Sequence, residues 1–248
     1  MRLQIADVSV RFSKITALRG VHASVDGGKI IAVLGPNASG KTTLLRSIAG
    51  LLSPTHGKVE LDGIRVDRMK PHDRASKVSW VPRVAEVAGA FTIRRVIELG
   101  RYALGPSTIR VDDALAQVDL LDRSESLWHG ASAGMRQRAS FARALAQRTP
   151  GGLIVLDEPS SALDLHHLQR MGDLLRQCAS EGDIVIAALH DISFAMEIAD
   201  EVIVLKEGQV VLAGQTQAVL TPSSLSGVFR VDLTWAVDDA GKRHLVMT

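Results

Sequence analysis

Hydrophobic positions change their spacing along this chain, and the changes divide it into stretches. Through residues 1–33 apolar side chains alternate with polar ones in short runs, the pattern of half-buried strands, with a turn predicted at Asp26-Gly27-Gly28. The apolar run Ile30-Ile31-Ala32-Val33-Leu34 follows, then a glycine-bearing loop, and residues 42–49 read as a helix closed by residues 50–54. Residues 57–62 predict a further strand ending in an Asp62-Gly63 turn. From about residue 84 to 140 the spacing becomes helical, over 93–102, 111–120 and 136–147, which reads as a helical insertion. Strand patterns return at 153–156, 184–188 and 202–205, separated by helical stretches. Residues 208–211 suggest a closing hairpin, and 225–248 form a short tail with no clear period. Short buried strands alternating with helices predict a parallel α/β sheet.

Composition narrows the class. The chain has 248 residues, 46% hydrophobic and 23% charged, ordinary for a globular protein with a real core. Its net charge of +2 comes from 29 basic and 27 acidic side chains. They are interleaved, and no Lys/Arg run marks a nucleic-acid face. Cys178 is the one cysteine, so no internal disulfide forms and no cysteine cluster holds a metal; it reads as a packing residue. The opening residues alternate like a strand and lack the apolar run of a signal peptide. The apolar runs are far shorter than the roughly 20 residues a bilayer requires. A membrane role would therefore run through a partner.

Gly35-Pro36-Asn37-Ala38-Ser39-Gly40-Lys41-Thr42 fits G-x-x-x-x-G-K-[ST] between a predicted strand and a predicted helix. Glycines let the backbone wrap phosphates, and amides at the helix start point at the anion. Lys41 would neutralise the β- and γ-phosphates, and the Thr42 hydroxyl would ligate Mg²⁺. A chance match of these four fixed positions arises in roughly one chain of this length per hundred, and the strand-loop-helix context lowers that.

The strand pattern at 153–156 ends in two acids, Asp157 and Glu158. At the C-terminal end of a strand in an open α/β sheet they would emerge beside the phosphate loop. Asp157 would hold Mg²⁺ through water, and Glu158 would polarise the water that attacks the γ-phosphate. His190 ends the next apolar strand, where it would hydrogen-bond the γ-phosphate. His166 and His167 are adjacent on a predicted helix and diverge by about 100°, poor geometry for one metal; they read as surface or interface residues.

In this order the motifs resemble those of the ATP-binding cassette family over nearly the whole chain. Ala131-Ser132-Ala133-Gly134-Met135 stands where the family carries its signature segment, commonly LSGGQ, and Arg136-Gln137-Arg138 and Ala142-Arg143-Ala144-Leu145-Ala146 follow. Ser160-Ser161-Ala162-Leu163-Asp164 resembles its D-loop, and Phe12 falls where the family stacks an aromatic on adenine. The resemblance implies an α/β fold: a P-loop NTPase (RecA-like) core with a mainly parallel sheet, an N-terminal antiparallel β-subdomain and a helical insertion. The core would comprise about 1–83 and 148–224, the helical subdomain about 84–147, and the tail about 225–248. It implies ATP and Mg²⁺ as bound groups. The expected nucleotide-binding set is Phe12, Gly35, Pro36, Asn37, Ala38, Ser39, Gly40, Lys41, Thr42, Thr43, Ser132, Gly134 and Asp164, with Thr42 and Asp157 on the metal. Glu158, His190 and Lys41 would be catalytic. It also implies a head-to-tail dimer of like subunits, each phosphate loop facing the other's Ser132 and Gly134.

Phe91-Thr92-Ile93-Arg94-Arg95-Val96-Ile97-Glu98-Leu99-Gly100-Arg101-Tyr102 and the tail from Leu220-Thr221-Pro222 to Val231-Asp232 are similar to importer ATPases for iron-siderophore, haem and cobalamin. That implies a peripheral subunit on the cytoplasmic face of the inner membrane, docked on a permease and fed indirectly by a substrate-binding protein. The rival within the family is an ATPase of translation or DNA repair, but this chain carries neither a second cassette nor a coiled-coil or zinc insert. A cassette that binds ATP without hydrolysing it is the non-enzyme rival, against which Glu158 and His190 speak.

Four positions depart from the pattern. Ala38 and Ala133 replace common glycines, Met135 replaces the signature glutamine, and Arg83 stands where the Q-loop glutamine is expected. A guanidinium cannot ligate a cation and is repelled by Mg²⁺. The expectation is that Arg83 points away, toward Glu86, or that hydrolysis is slowed.

Overall fold

The computed structural model describes residues 1–239, 241 and 243–248. The chain opens with β1 (Arg2–Phe12), β2 (Ile15–Asp26) and β3 (Lys29–Leu34), followed by α1 (Lys41–Ile48). Next come β4 (His56–Leu61), β5 (Ile64–Arg65), α2 (Pro71–Ala75) and β6 (Val78–Val81). Three helices follow, α3 (Ile93–Gly100), α4 (Thr108–Gln117) and α5 (Ala133–Gln147). The order then returns to alternation: β7 (Leu153–Asp157), α6 (Leu165–Ser180), β8 (Ile184–Ala188), α7 (Ile192–Ile198), β9 (Glu201–Lys206) and β10 (Gln209–Gln215). The chain closes with α8 (Thr216–Val219), α9 (Pro222–Phe229), β11 (Leu233–Val237) and β12 (Arg243–Met247).

The central sheet has the order β10-β9-β3-β8-β7-β6, parallel throughout except for the β9–β10 hairpin. β7 and β8 are buried along their whole length, and β3 from Ile30 onward. Their side chains alternate between two cores, as the two-residue strand period requires. Ile30, Ala32, Leu34, Ile154, Leu156, Val185 and Ala187 face the helices α5, α6 and α7. Ile31, Val33, Leu153, Val155, Ile184 and Ile186 face α1 and the inner face of a second, antiparallel sheet of order β2-β1-β4-β5. The P-loop NTPase core with its antiparallel β-layer is thus the observed architecture.

Helix starts follow capping side chains that periodicity does not see. α5 begins at Ala133, three residues before the predicted start, because the Ser132 hydroxyl accepts from the Met135 amide. α4 ends at Gln117, and Asp119, with φ 54°, turns the chain out of the helix. β6 carries no sequence expectation of its own: four residues are too few to set a period, and the strand is defined by its parallel pairing with β7. Thr221 caps α9 with a reciprocal capping box and Pro222 at its first turn, and β11 and β12 form a separate hairpin. Among the described residues no helix is long and apolar enough to cross a membrane. Cys178 is buried on α6, and burial pushes its thiol up to about 11, so it stays a neutral packing residue.

Candidate active site

Three central strands deliver their C-terminal ends to one edge. β3 runs into the loop 35–40, β8 lies beside it and leads to His190, and β7 follows with Asp157 and Glu158. The loop is held by close backbone approaches. Gly35 has φ 144°, and a Cβ there would fall 2.1 Å from the Leu205 carbonyl oxygen on β9. Gly40 has φ 105°, and its Cβ would fall 2.7 Å from the Ala17 oxygen on β2. Only glycine fits either place. Ala38 sits in the left-handed region at φ 60°, which accounts for the glycine usual there.

Gly40 caps α1 without any side-chain hydrogen bond, so the first-turn amides are left for an external acceptor. Lys41 is buried, and its ammonium donates to the carbonyls of Gly35 at 2.8 Å and Pro36 at 3.1 Å. Burial lowers its pKa, against which the charges of Glu158 and Asp157 work. Among the described residues, Ser39 Oγ is buried without a hydrogen-bond partner. An orphaned hydroxyl, open amides and a buried ammonium on one loop fit a polyphosphate.

Across the cradle the Thr42 hydroxyl donates to Asp157 Oδ1 at 3.1 Å. Burial raises the pKa of Asp157, and the Thr42 contact opposes that rise. Two hard oxygen donors side by side, one a buried carboxylate that a cation would stabilise, fit Mg²⁺. Glu158 is buried with φ 51°, its amide donating to the Ala188 carbonyl at 3.1 Å, which ties the turn after β7 to β8. His190 Nε2 lies 2.5 Å from Glu158 Oε1.

Arg83 does not point toward Glu86: its Nε lies 2.8 Å from Glu158 Oε2. The reason is topological. β6 is the neighbour of β7, so a residue just past Val81 emerges beside one just past Asp157. A buried carboxylate there holds a cation more firmly than the solvated Glu86.

Asn37, Ala38, Ser39, Lys41, Thr42, Arg83 and Glu158 line one cavity of about 480 Å³. Gly40 and Thr43 line it too, and Ile15, Thr16, Ala17 and Arg19 of β2, with Glu207 and Gly208 of the β9–β10 turn, complete its wall. No motif signals these last six; they arrive through the packing of the antiparallel layer and the β9–β10 hairpin around the loop. Phe12 stands outside that lining, half exposed at the end of β1 opposite Ile15. Ser132 and Gly134 are also outside it. They start α5, where a Cβ on Gly134 would fall 2.8 Å from the Ala162 oxygen, so this glycine admits the 160–164 loop. Asp164 is the N-cap of α6: it accepts from the His167 amide at 2.9 Å and pairs with the His167 ring at 2.7 Å. The hydrogen bond from that amide comes first among the causes that hold its carboxyl below the usual range. The rings of His166 and His167 are inclined at 77°, and His166 reaches toward Asp119.

The ABC transporter family profile matches residues 18–161, from β2 through the phosphate loop and α5 to just past Glu158. This chain belongs to the ABC transporter family. Among the relatives of this ABC cassette, the hemin import ATP-binding protein HmuV of Rhodopseudomonas palustris (strain BisB18) is 37% identical over 239 residues, 93% of this chain and 89% of that protein. The cobalamin import ATP-binding protein BtuD of Halobacterium salinarum (strain ATCC 29341 / DSM 671 / R1) is 35% identical over 247 residues, 97% of this chain. The chain spans 62% of the length of that relative. Among solved structures, one from the inward-facing conformation of a transporter described as metal-chelate type superposes with a TM-score of 0.82 at 25% identity, covering 99% of this chain and 96% of the other. A dimeric ATP-binding cassette in a post-hydrolysis state with ADP and Pi gives a TM-score of 0.79 at 27% identity, covering 86% of this chain and 98% of the other.

Proposed function

We propose that this cassette is the ATP-hydrolysing subunit of an importer for a metal chelate of the iron-siderophore, haem or cobalamin kind. One observation carries the reading: Lys41, Thr42, Asp157, Glu158 and His190 converge at the edge of one sheet, around an uncapped helix N-terminus. The cargo class rests on the relatives named for hemin and cobalamin import.

In this reading the amides of residues 39–43 and the Lys41 ammonium hold the β- and γ-phosphates of ATP. Thr42 and Asp157 would hold Mg²⁺, which would supply positive charge against the phosphates. His190 orients the Glu158 carboxylate and faces the terminal phosphate. Glu158 takes a proton from water as the water oxygen bonds to the γ-phosphorus and the bond to the bridging oxygen breaks, giving ADP and Pi. Phe12 stacks on the adenine from the rim. Ser132 and Gly134 of a second, like subunit close the other side, with Asp164 beside them in the interface. ATP then joins two surfaces, and its hydrolysis separates them, shifting an open-closed equilibrium that a membrane permease reads. A substrate-binding protein would engage that permease, placing this subunit at the cytoplasmic face of the membrane.

Phosphate release by the purified chain, alone and with its permease in liposomes, tests this. Glu158→Gln should lower turnover by about 10²–10⁴-fold, the contribution of a general base, while ATP-bound dimers still form on size-exclusion chromatography. Loss of ATP binding in that variant would show that Glu158 is not the base.

A further inference from the structure

Each oxygen of the Glu158 carboxylate has a nitrogen at ion-pair distance: His190 Nε2 at Oε1, and Arg83 Nε at Oε2, 2.8 Å away. Each oxygen keeps a lone pair, but a water that approaches Oε2 must compete with the Arg83 guanidinium for it. The Arg83 side chain is 62% exposed, whereas that of Glu158 is 7%. Arg83 leaves the edge strand β6 on an irregular stretch, and it lines the same cavity as Lys41 and Ser39. The guanidinium carries five N–H donors, and its largely exposed position leaves most of them for other acceptors in the cavity.

The family's pattern has an uncharged, cation- and water-binding glutamine at this place. The chain here carries an anion-binding fork instead. In the nucleotide-site reading above, the last phosphate lies toward Glu158, and Arg83 lines the same cavity beside it. That phosphate bears more charge than one carboxylate, and its oxygens match the guanidinium in a bidentate way. It also brings negative charge next to a buried carboxylate, which a cation between the two would relieve.

We propose that Arg83 is a γ-phosphate ligand supplied in cis, which in the nucleotide-free chain closes Glu158 and on arrival of a nucleoside triphosphate exchanges the carboxylate for the terminal phosphate. One residue then recognises the triphosphate and uncovers the base. A diphosphate ends short of Arg83, leaving Glu158 closed. This rests on the nucleotide-site reading above and adds a substrate contact that the glutamine of the family's pattern cannot make.

Binding of fluorescent ATP and ADP analogues to the full chain tests it, measured with magnesium present and with magnesium chelated. Arg83→Ala should weaken ATP analogue binding by about tenfold or more, the size of a charge-assisted hydrogen bond, and leave ADP analogue binding within about twofold. Arg83→Lys should recover part of the loss. The discrimination should survive chelation, because the fork contacts phosphate oxygen and not the metal. Glu158→Gln, which weakens the competing carboxylate, should tighten ATP binding, and Arg83→Ala combined with Glu158→Gln should abolish that gain. Equal losses for ATP and ADP, or no loss for either, would overturn the proposal. Should the unaltered chain bind neither analogue, or bind both as well after Lys41→Ala, the nucleotide reading beneath it fails first.

Discussion

Two helix N-termini in this molecule are built in opposite ways. α1 starts at Gly40, which offers no side chain, so its amides wait for an outside anion. α5 starts at Ser132, whose hydroxyl already accepts from Met135 at 3.2 Å. The same holds for α6, capped by Asp164, and α7, capped by Asp191. The five-residue α2 and four-residue α8 also lack a side-chain cap, but among the longer described helices only α1 does, and it is the one at the proposed phosphate site. Ser132 keeps a hydroxyl hydrogen to donate even while it caps. It can serve α5 within its own chain and an acceptor on a facing subunit at once.

Substitutions at the two ends sharpen this contrast, the largest effect first. Gly40→Ala should destabilise the fold by about 2–4 kcal/mol and abolish nucleotide binding. The new Cβ meets the Ala17 oxygen and Leu18 Cδ2 at a φ that L-residues avoid; thermal melts and analogue binding check both. If Gly40→Ala folds and binds normally, the loop has another conformation available and α1 is not a fixed cradle. Ser132→Ala should destabilise by about 1 kcal/mol, the worth of an N-cap, and leave nucleotide affinity of the monomer unchanged. It should lower turnover of the assembled dimer, and equal turnover would mean that the hydroxyl serves α5 alone. Ala38→Gly should change stability by less than about 1 kcal/mol. Relief of the left-handed alanine is offset by the greater freedom of glycine in the unfolded chain.

How far the sequence carries depends on what kind of interaction sets each feature. The buried strands at 153–157 and 184–188 are legible because consecutive apolar residues have no other stable place. The phosphate loop is legible because its glycines are demanded by backbone contacts within the loop and against β2 and β9. β6 is not, since a four-residue edge strand is defined only by its neighbour. The direction of Arg83 is not either: local sequence offers Glu86, three residues away, and long-range pairing offers Glu158. The β2 and β9–β10 residues lining the cavity carry no motif at all.

What the chain's order of residues determined by itself is the set of elements with strong local reasons: apolar runs, glycines at positive φ, and acids at strand ends. Which of those residues meet was decided by the sheet order, which sets β8 between the phosphate-loop strand and the acidic strand and puts β6 outside them. Strand neighbours are chosen by burial of the whole sheet between two cores, an energy shared over many side chains and written in no single segment. That is why Lys41, Glu158 and His190 could be named from motifs, whereas the guanidinium on Glu158 became visible only once β6 lay beside β7.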